Sequence, residues 1–226
     1  MPLLLHSMIG WVLVVMSLGL IGFWVPPEDQ VLGNSYLIFF WHFPSAINCM
    51  NLFVISGVFS AIYLFGGRKP SMDMWAAAAV EVGMLACTIT LVTGGIWARC
   101  AWAEWSVWMF NDPRLISVYI MWFTYAAYLA FRSNLEDPRK RAVFSSAFGI
   151  VATINVPVVY FAIRIFGSQH HPMELTLVDD SLIVTRWFGA LAFLVLYLAL
   201  VRIRRRVAEQ RVDVERLQGA FGRAGI

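Results

Sequence analysis

Residues 97–114 read WARCAWAEWSVWMFNDPR and lie between two long apolar runs, 73–96 and 114–131. Four of the chain's ten tryptophans fall in this one stretch. On a helix, Trp102, Trp105 and Trp108 recur every third residue, drift slowly round one side and make a broad indole face, with Glu104 and Ser106 directed elsewhere. Such a face suits a flat aromatic partner. It also suits the headgroup layer of a bilayer, where the apolar body and polar N–H of an indole are both accommodated. On either reading the stretch is a water-facing break between two membrane spans.

The 226 residues are 60% hydrophobic and 14% charged, with a mean hydropathy of +0.69. A water-soluble domain of this size does not need that balance to fill its core, so the chain reads as an integral membrane protein. Apolar segments run over 8–25, 36–65, 73–96, 114–131, 142–166 and 182–201, most of them near the approximately 20 residues that cross a bilayer core. The expected fold is an all-α bundle of six transmembrane helices with both termini on one side. Residues 1–201 form one membrane domain and 202–226 a basic tail. The first run lacks a basic leader and a small-residue cleavage site before Pro26 and Pro27, so it reads as a retained span rather than a signal peptide. The second is long enough for its first turns to project from the hydrocarbon, which puts His42 near a membrane surface.

Charge orients the bundle. Thirteen of the seventeen Lys and Arg residues fall in the loop holding Arg68 and Lys69, the loop from Arg132 to Arg141, and the tail after Val201. By the positive-inside rule this side is cytoplasmic, which leaves the Trp-rich loop at about 97–114, His42, His170 and His171 outside. The tail carries on from the last helix, where anionic lipid would hold it, or serves simply as a topology anchor, the favoured reading.

Known enzyme signatures are missing. GGRKPS at Gly66 lacks the spacing of a phosphate-binding loop, and neither His-Glu-x-x-His nor Gly-x-Ser-x-Gly occurs, so no nucleotide hydrolysis or other catalysis by those routes is expected. Cys49, Cys87 and Cys100 share no Cys-x-x-Cys spacing and no Cys-x-x-Cys-His is present, which argues against a disulfide framework and against covalent haem attachment. Nucleic acid is not an expected partner.

The histidines remain as candidate ligands. His6 precedes the first apolar run and reads as incidental. His42 and the pair His170–His171 flank the Trp loop on the same side, where two imidazoles can approach one metal from opposite faces; imidazole is an axial ligand of haem iron and a Trp-lined ledge suits a porphyrin, although a lone interfacial histidine is more often a hydrogen-bonding bystander. Arg114, Arg164 and Arg186 lie near the outer ends of spans, placed either to fork onto carboxylates such as haem propionates or to snorkel and pair with local acids. Asp112 before Pro113 fits a helix N-cap and first helical position, with ligand contact as the alternative. Glu81, deep in the third run, needs a partner or a proton. Pro44, Gly57, Gly83 and Pro157 mark kinks or close helix contacts.

Three motifs carry a family resemblance. His42-Phe43-Pro44 looks like a His-x-Pro at the outer end of the second span. Gly95-Ile96-Trp97 with Trp102, Trp105, Trp108, Asp112, Arg114 and Leu115 looks like a Trp-rich motif ending in Trp-Asp-x-Arg-Leu, and Asn155-Val156-Pro157 is similar to an Asn-x-Pro in the fifth span. Together they resemble the haem exporter protein C family of the bacterial cytochrome c maturation system, part of a tryptophan-rich superfamily of six-span haem-handling proteins. The likeness runs from His42 to about Pro172. Ser106 stands where the family usually has the middle Trp, and Met109, Phe110 and Asn111 separate Trp108 from Asp112, which are adjacent in the family.

The resemblance implies a haem-transfer subunit of the bacterial inner membrane. Non-covalent, transient haem b would sit at the outer leaflet between the axial ligands His42 and His170, on a platform of Trp97, Trp102, Trp105 and Trp108, with Asp112 and Arg114 as propionate or motif contacts. The family's spacing from Asn155 favours His170 over His171. The implied partners are a periplasmic haem chaperone, an ATP-binding cassette subunit, a second six-span subunit and a small single-span subunit. A bis-histidine b-type electron-transfer subunit is the alternative, but such proteins hold ligands deep in the bilayer and here all candidates are outside. A permease would show midplane polar groups and internal repeats; Glu81 stands alone.

Overall fold

The computed structural model describes residues 3–25, 34–102, 112–167 and 179–224. Its elements are α1 (Leu3–Phe23), a 3₁₀ turn (Asn34–Ile38), α2 (Phe39–Phe65), α3 (Pro70–Trp102), α4 (Pro113–Ser133), α5 (Pro138–Thr153), α6 (Asn155–Phe166) and α7 (Asp180–Ala224). Among the described residues, six stretches are long and apolar enough to cross a membrane, with α5 and the start of α6 sharing one of them. Helix is the expected answer for a chain in hydrocarbon, because each span then satisfies its own backbone N–H and C=O groups.

The helix α2 sits at the centre, packed most extensively on α3 and also against α5 and α7, while α1 lies along α7. Small residues permit the close α2–α3 contact: Ala76 to Val80 of α3 are all buried, and a β-carbon on Gly83 would lie 2.8 Å from Phe53 Cε1. In a bilayer this approach matters more than apolarity, since lipid tails are as apolar as the helices. Phe53 in turn stacks on Tyr125 of α4, ring centroids 3.7 Å apart and planes within 5°.

Both prolines break the ladder as their chemistry requires. Pro157 has no N–H for the Thr153 carbonyl; the fifth span breaks at Ile154, whose N–H closes a tighter turn onto Val151 O at 3.1 Å. At Pro44 of α2, Asn48 Nδ2 donates to Pro44 O at 2.8 Å and to Ala190 O of α7 at 2.9 Å, tying the two helices together.

Ion pairs join helices at the end of the bundle richest in Lys and Arg. Glu81 of α3 meets Arg204 of α7, which supplies the partner its place in the apolar run demanded. His6 departs from the sequence reading: α1 begins at Leu3, so His6 lies inside the first span, buried, with Nδ1 2.7 Å from Arg202 Nη1. The tail continues α7 as helix to Ala224.

Arg132 at the end of α4 forks onto Asp73 in the first turn of α3, both N–O distances 2.7 Å, and the two side chains are only 16% and 12% exposed. Asp73→Leu alone strands a guanidinium and is expected to lower stability by about 3 kcal/mol, whereas Asp73→Leu with Arg132→Met recovers most of that loss. Reversible unfolding in mixed micelles measures both; a double variant less stable than the single one defeats the assignment.

Candidate functional site

The first turn of α2 carries a dense aromatic surface. Phe39 and Phe43 lie one turn apart with ring centroids at 5.5 Å, and His42 shares their end of the helix. Facing it, the last turns of α3 present Thr93, Gly94 and Trp97. The His42 and Trp97 rings are 6.3 Å apart at 50°, Phe39 and Trp97 are 6.4 Å apart at 60°, and His42 Nδ1 lies 3.1 Å from Thr93 Oγ1. Gly94 makes this possible: a β-carbon there would lie 3.0 Å from His42 Cε1.

Two arginines enter from other helices. Asp112 is buried and caps α4, its Oδ1 accepting from the N–H groups of Arg114 at 2.9 Å and Leu115 at 3.1 Å. The cap, followed by Pro113 at the first helical position, starts α4 where Arg114 points into the site. Arg186, in the second turn of α7, lays its guanidinium over Trp187 at 4.9 Å and Phe43 at 5.5 Å. Stacking of this kind holds the cation without discharging it.

Together these groups surround a cavity of about 680 Å³, a size typical of small-molecule sites. Its polar rim is His42, Trp97, Arg114 and Arg186; its body is apolar, with Phe43, Met50, Leu115, Met121, Val156 and Tyr160 among the lining residues. Imidazole, indole and two guanidiniums around an apolar slot suit a flat, largely apolar ligand that carries anionic groups at one edge. Arg186 Nε is buried and has no hydrogen-bond partner among the described residues, as a site for a carboxylate on an incoming ligand would have.

Of the residues singled out by sequence, His42, Trp97, Arg114 and Arg186 therefore line one cavity, and Asp112 sits behind Arg114 as its helix cap. Arg164 lies over Tyr160 at 5.5 Å and is exposed, not among the residues lining the cavity. Trp102 closes α3, its side chain outside what is described; Trp105, Trp108, His170 and His171 lie outside the described residues. Thr93 and Gly94 were missed. The signal was present, since Thr93 and Trp97 are four residues apart and so share a helix face.

The family described as Heme exporter protein C matches residues 2–218 of the chain. The chain belongs to that family. It is 29% identical to the Heme exporter protein C of Paracoccus denitrificans over 213 residues, covering 91% of this chain and 86% of that one. The Escherichia coli K12 protein of the same name is 29% identical over 178 residues, 75% and 71% of the two chains. The Bradyrhizobium diazoefficiens protein is 27% identical over 206 residues, 88% and 77%. All three motifs that suggested the family meet in space, since Trp97, Arg114 and Leu115 of the second and Val156 and Pro157 of the third line the same cavity as His42 and Phe43 of the first.

The capping role of Asp112 is separable from any contact with a ligand. Asp112→Ala removes the acceptor for two N–H groups and is expected to lower stability by about 1 kcal/mol, while Asp112→Asn and Asp112→Ser retain most of it. Thermal unfolding in detergent reads the difference. Equal losses in all three variants would show that the carboxylate charge, not the cap, is what the site needs.

Proposed function

We propose that the chain binds haem in this cavity, at the outer leaflet of a bacterial inner membrane, and passes it to a periplasmic haem chaperone during cytochrome c maturation. The observation that carries the reading is the convergence of His42, Trp97, Arg114 and Arg186 on one cavity in a member of the Heme exporter protein C family. Haem is the cargo, and the residues fit it: an imidazole for iron, aromatic and apolar walls for the macrocycle, and guanidiniums for carboxylates.

In this reading His42 and His170 are the axial ligands, and Trp97, Trp102, Trp105 and Trp108 form the platform. Arg114 and Arg186 take the propionates, and Asp112 acts through the cap that aims Arg114. Binding is non-covalent, as the lack of a Cys-x-x-Cys-His motif requires and as delivery demands. The thirteen clustered Lys and Arg residues support an orientation with both termini and the extension of α7 in the cytoplasm and the cavity rim facing the periplasm. The chain carries no nucleotide-binding motif, so ATP hydrolysis falls to a partner ATP-binding cassette subunit, in a complex with a second six-span protein and a small single-span protein.

Orientation is tested by labelling single cysteines in intact cells, in a background lacking Cys49, Cys87 and Cys100. Ala103→Cys and Leu175→Cys should react with a membrane-impermeant reagent and Asp137→Cys should not; labelling at 137 overturns the orientation. Haem titration of the purified protein in nanodiscs tests the ligands. His42→Ala and His170→Ala should each lower affinity sharply and stop transfer to the chaperone, with added imidazole partly restoring binding, while His171→Ala is mild. Unchanged spectra and affinity in all three variants would remove the axial assignment.

A further inference from the structure

We infer that Thr93 is a positioning residue for the haem ligand: it holds His42 in the tautomer whose Nε2 carries the lone pair that binds iron. This rests on the reading of His42 as an axial ligand and adds a residue to it that no motif had indicated.

A threonine hydroxyl has one hydrogen to donate. In Thr93 that hydrogen is directed at the backbone of its own helix, since Oγ1 lies 2.7 Å from Ile89 O and 3.3 Å from Thr90 O. Donation back to the preceding turn is the ordinary habit of a helical threonine. Oγ1 then meets His42 with a lone pair, so the 3.1 Å contact is Nδ1–H donating to Thr93 Oγ1. A neutral imidazole has one N–H, and with Nδ1 holding it Nε2 is the basic nitrogen. A neutral histidine in water favours the opposite tautomer, which puts the proton on Nε2 and cannot bind a metal through that atom. The acceptor on α3 therefore does work that solvent would not.

Two neighbours complete the seat. At Gly94 a β-carbon would come within 3.0 Å of His42 Cε1 and 3.4 Å of Nδ1, so a side chain there would push the ring back from the helix by a few tenths of an ångström. Trp97, one turn beyond Thr93, walls the ring with its centroid 6.3 Å away. A hydrogen-bond acceptor behind a metal-ligating histidine sets its tautomer, orients the ring and raises its basicity, and losing such a partner typically weakens metal binding by about 10- to 100-fold.

The test uses the full-length protein in nanodiscs with ¹⁵N-labelled histidine, the His42 signals being assigned by their loss in His42→Ala. In the haem-free protein, ¹⁵N NMR reads the tautomer directly. The unaltered chain and Thr93→Ser should show the proton of His42 on Nδ1; Thr93→Val, close in volume but without an acceptor, should move it toward Nε2. With haem added, Thr93→Val should bind about 10- to 100-fold more weakly and shift the midpoint potential of the bound haem upward, because the ligand donates less electron density. Thr93→Ser should restore both values. Gly94→Ala should weaken binding by displacing the ring while leaving the proton on Nδ1. A His42 proton on Nε2 in the unaltered chain overturns the inference, as does a Thr93→Val chain with unchanged tautomer and affinity. If His42→Ala binds haem as tightly as the unaltered chain, the axial reading itself fails, whatever the tautomer.

Discussion

The close approach of α2 to α3 at Phe53 and Gly83 is the contact on which the remaining geometry depends. Phe53 lies where a side chain on Gly83 would be, and that register propagates along two antiparallel helices. Eleven residues separate Phe53 from His42, and eleven separate Gly83 from Gly94. Eleven residues are about three helical turns, or about 16 Å, so the same helix faces meet again at the far end. There the second glycine accepts an imidazole where the first accepts a phenyl ring. One glycine fixes the register deep in the bundle and the other uses it at the rim of the cavity.

The arginines show how the surroundings decide what one side chain does. Arg132 is matched fork to fork by Asp73, both bonds at 2.7 Å, and so its charge is spent on joining α3 to α4. Arg204 is likewise committed to Glu81. Arg186 rests on the faces of Trp187 and Phe43, which stabilise a cation while leaving its donors directed at whatever enters the cavity. Pairing at the basic end of the bundle is structural; stacking at the other end keeps charge available for a ligand.

The fold was largely legible because its signals are local. Hydropathy gave the six spans, Pro157 the break in the fifth, and Asp112-Pro113 the start of α4, each from residues adjacent in the chain. The site was legible in part. His42, Trp97 and Arg114 announced themselves by residue type near the ends of spans. Thr93 did not, because a threonine in an apolar helix usually bonds only its own backbone, and its second role exists only once α2 and α3 are in register. His6 was misread for a related reason: its partner, Arg202, is 196 residues away, and hydropathy alone placed the first span too far along the chain. Arg186 was visible as a cation, but its aromatic seat required the packing of α7 against α2.

A carrier must bind its cargo and then let it go, and the groups behind the ligand bear on both. Metal-ligating histidines are commonly backed by a carboxylate, which pulls strongly on the Nδ1 proton and makes Nε2 a firm donor. A charge-assisted bond of that sort is roughly twice as strong as one between neutral groups. Thr93 offers a neutral oxygen whose own hydrogen is already given to Ile89 O, so it selects the tautomer without driving the ring toward imidazolate. On the proposed axial role, His42 would thereby be prepared to take iron yet hold it with moderate strength, in a cavity whose walls are mostly apolar contacts. A ligand backed in this way would suit exchange, since a neutral acceptor strengthens the iron bond less than a carboxylate does.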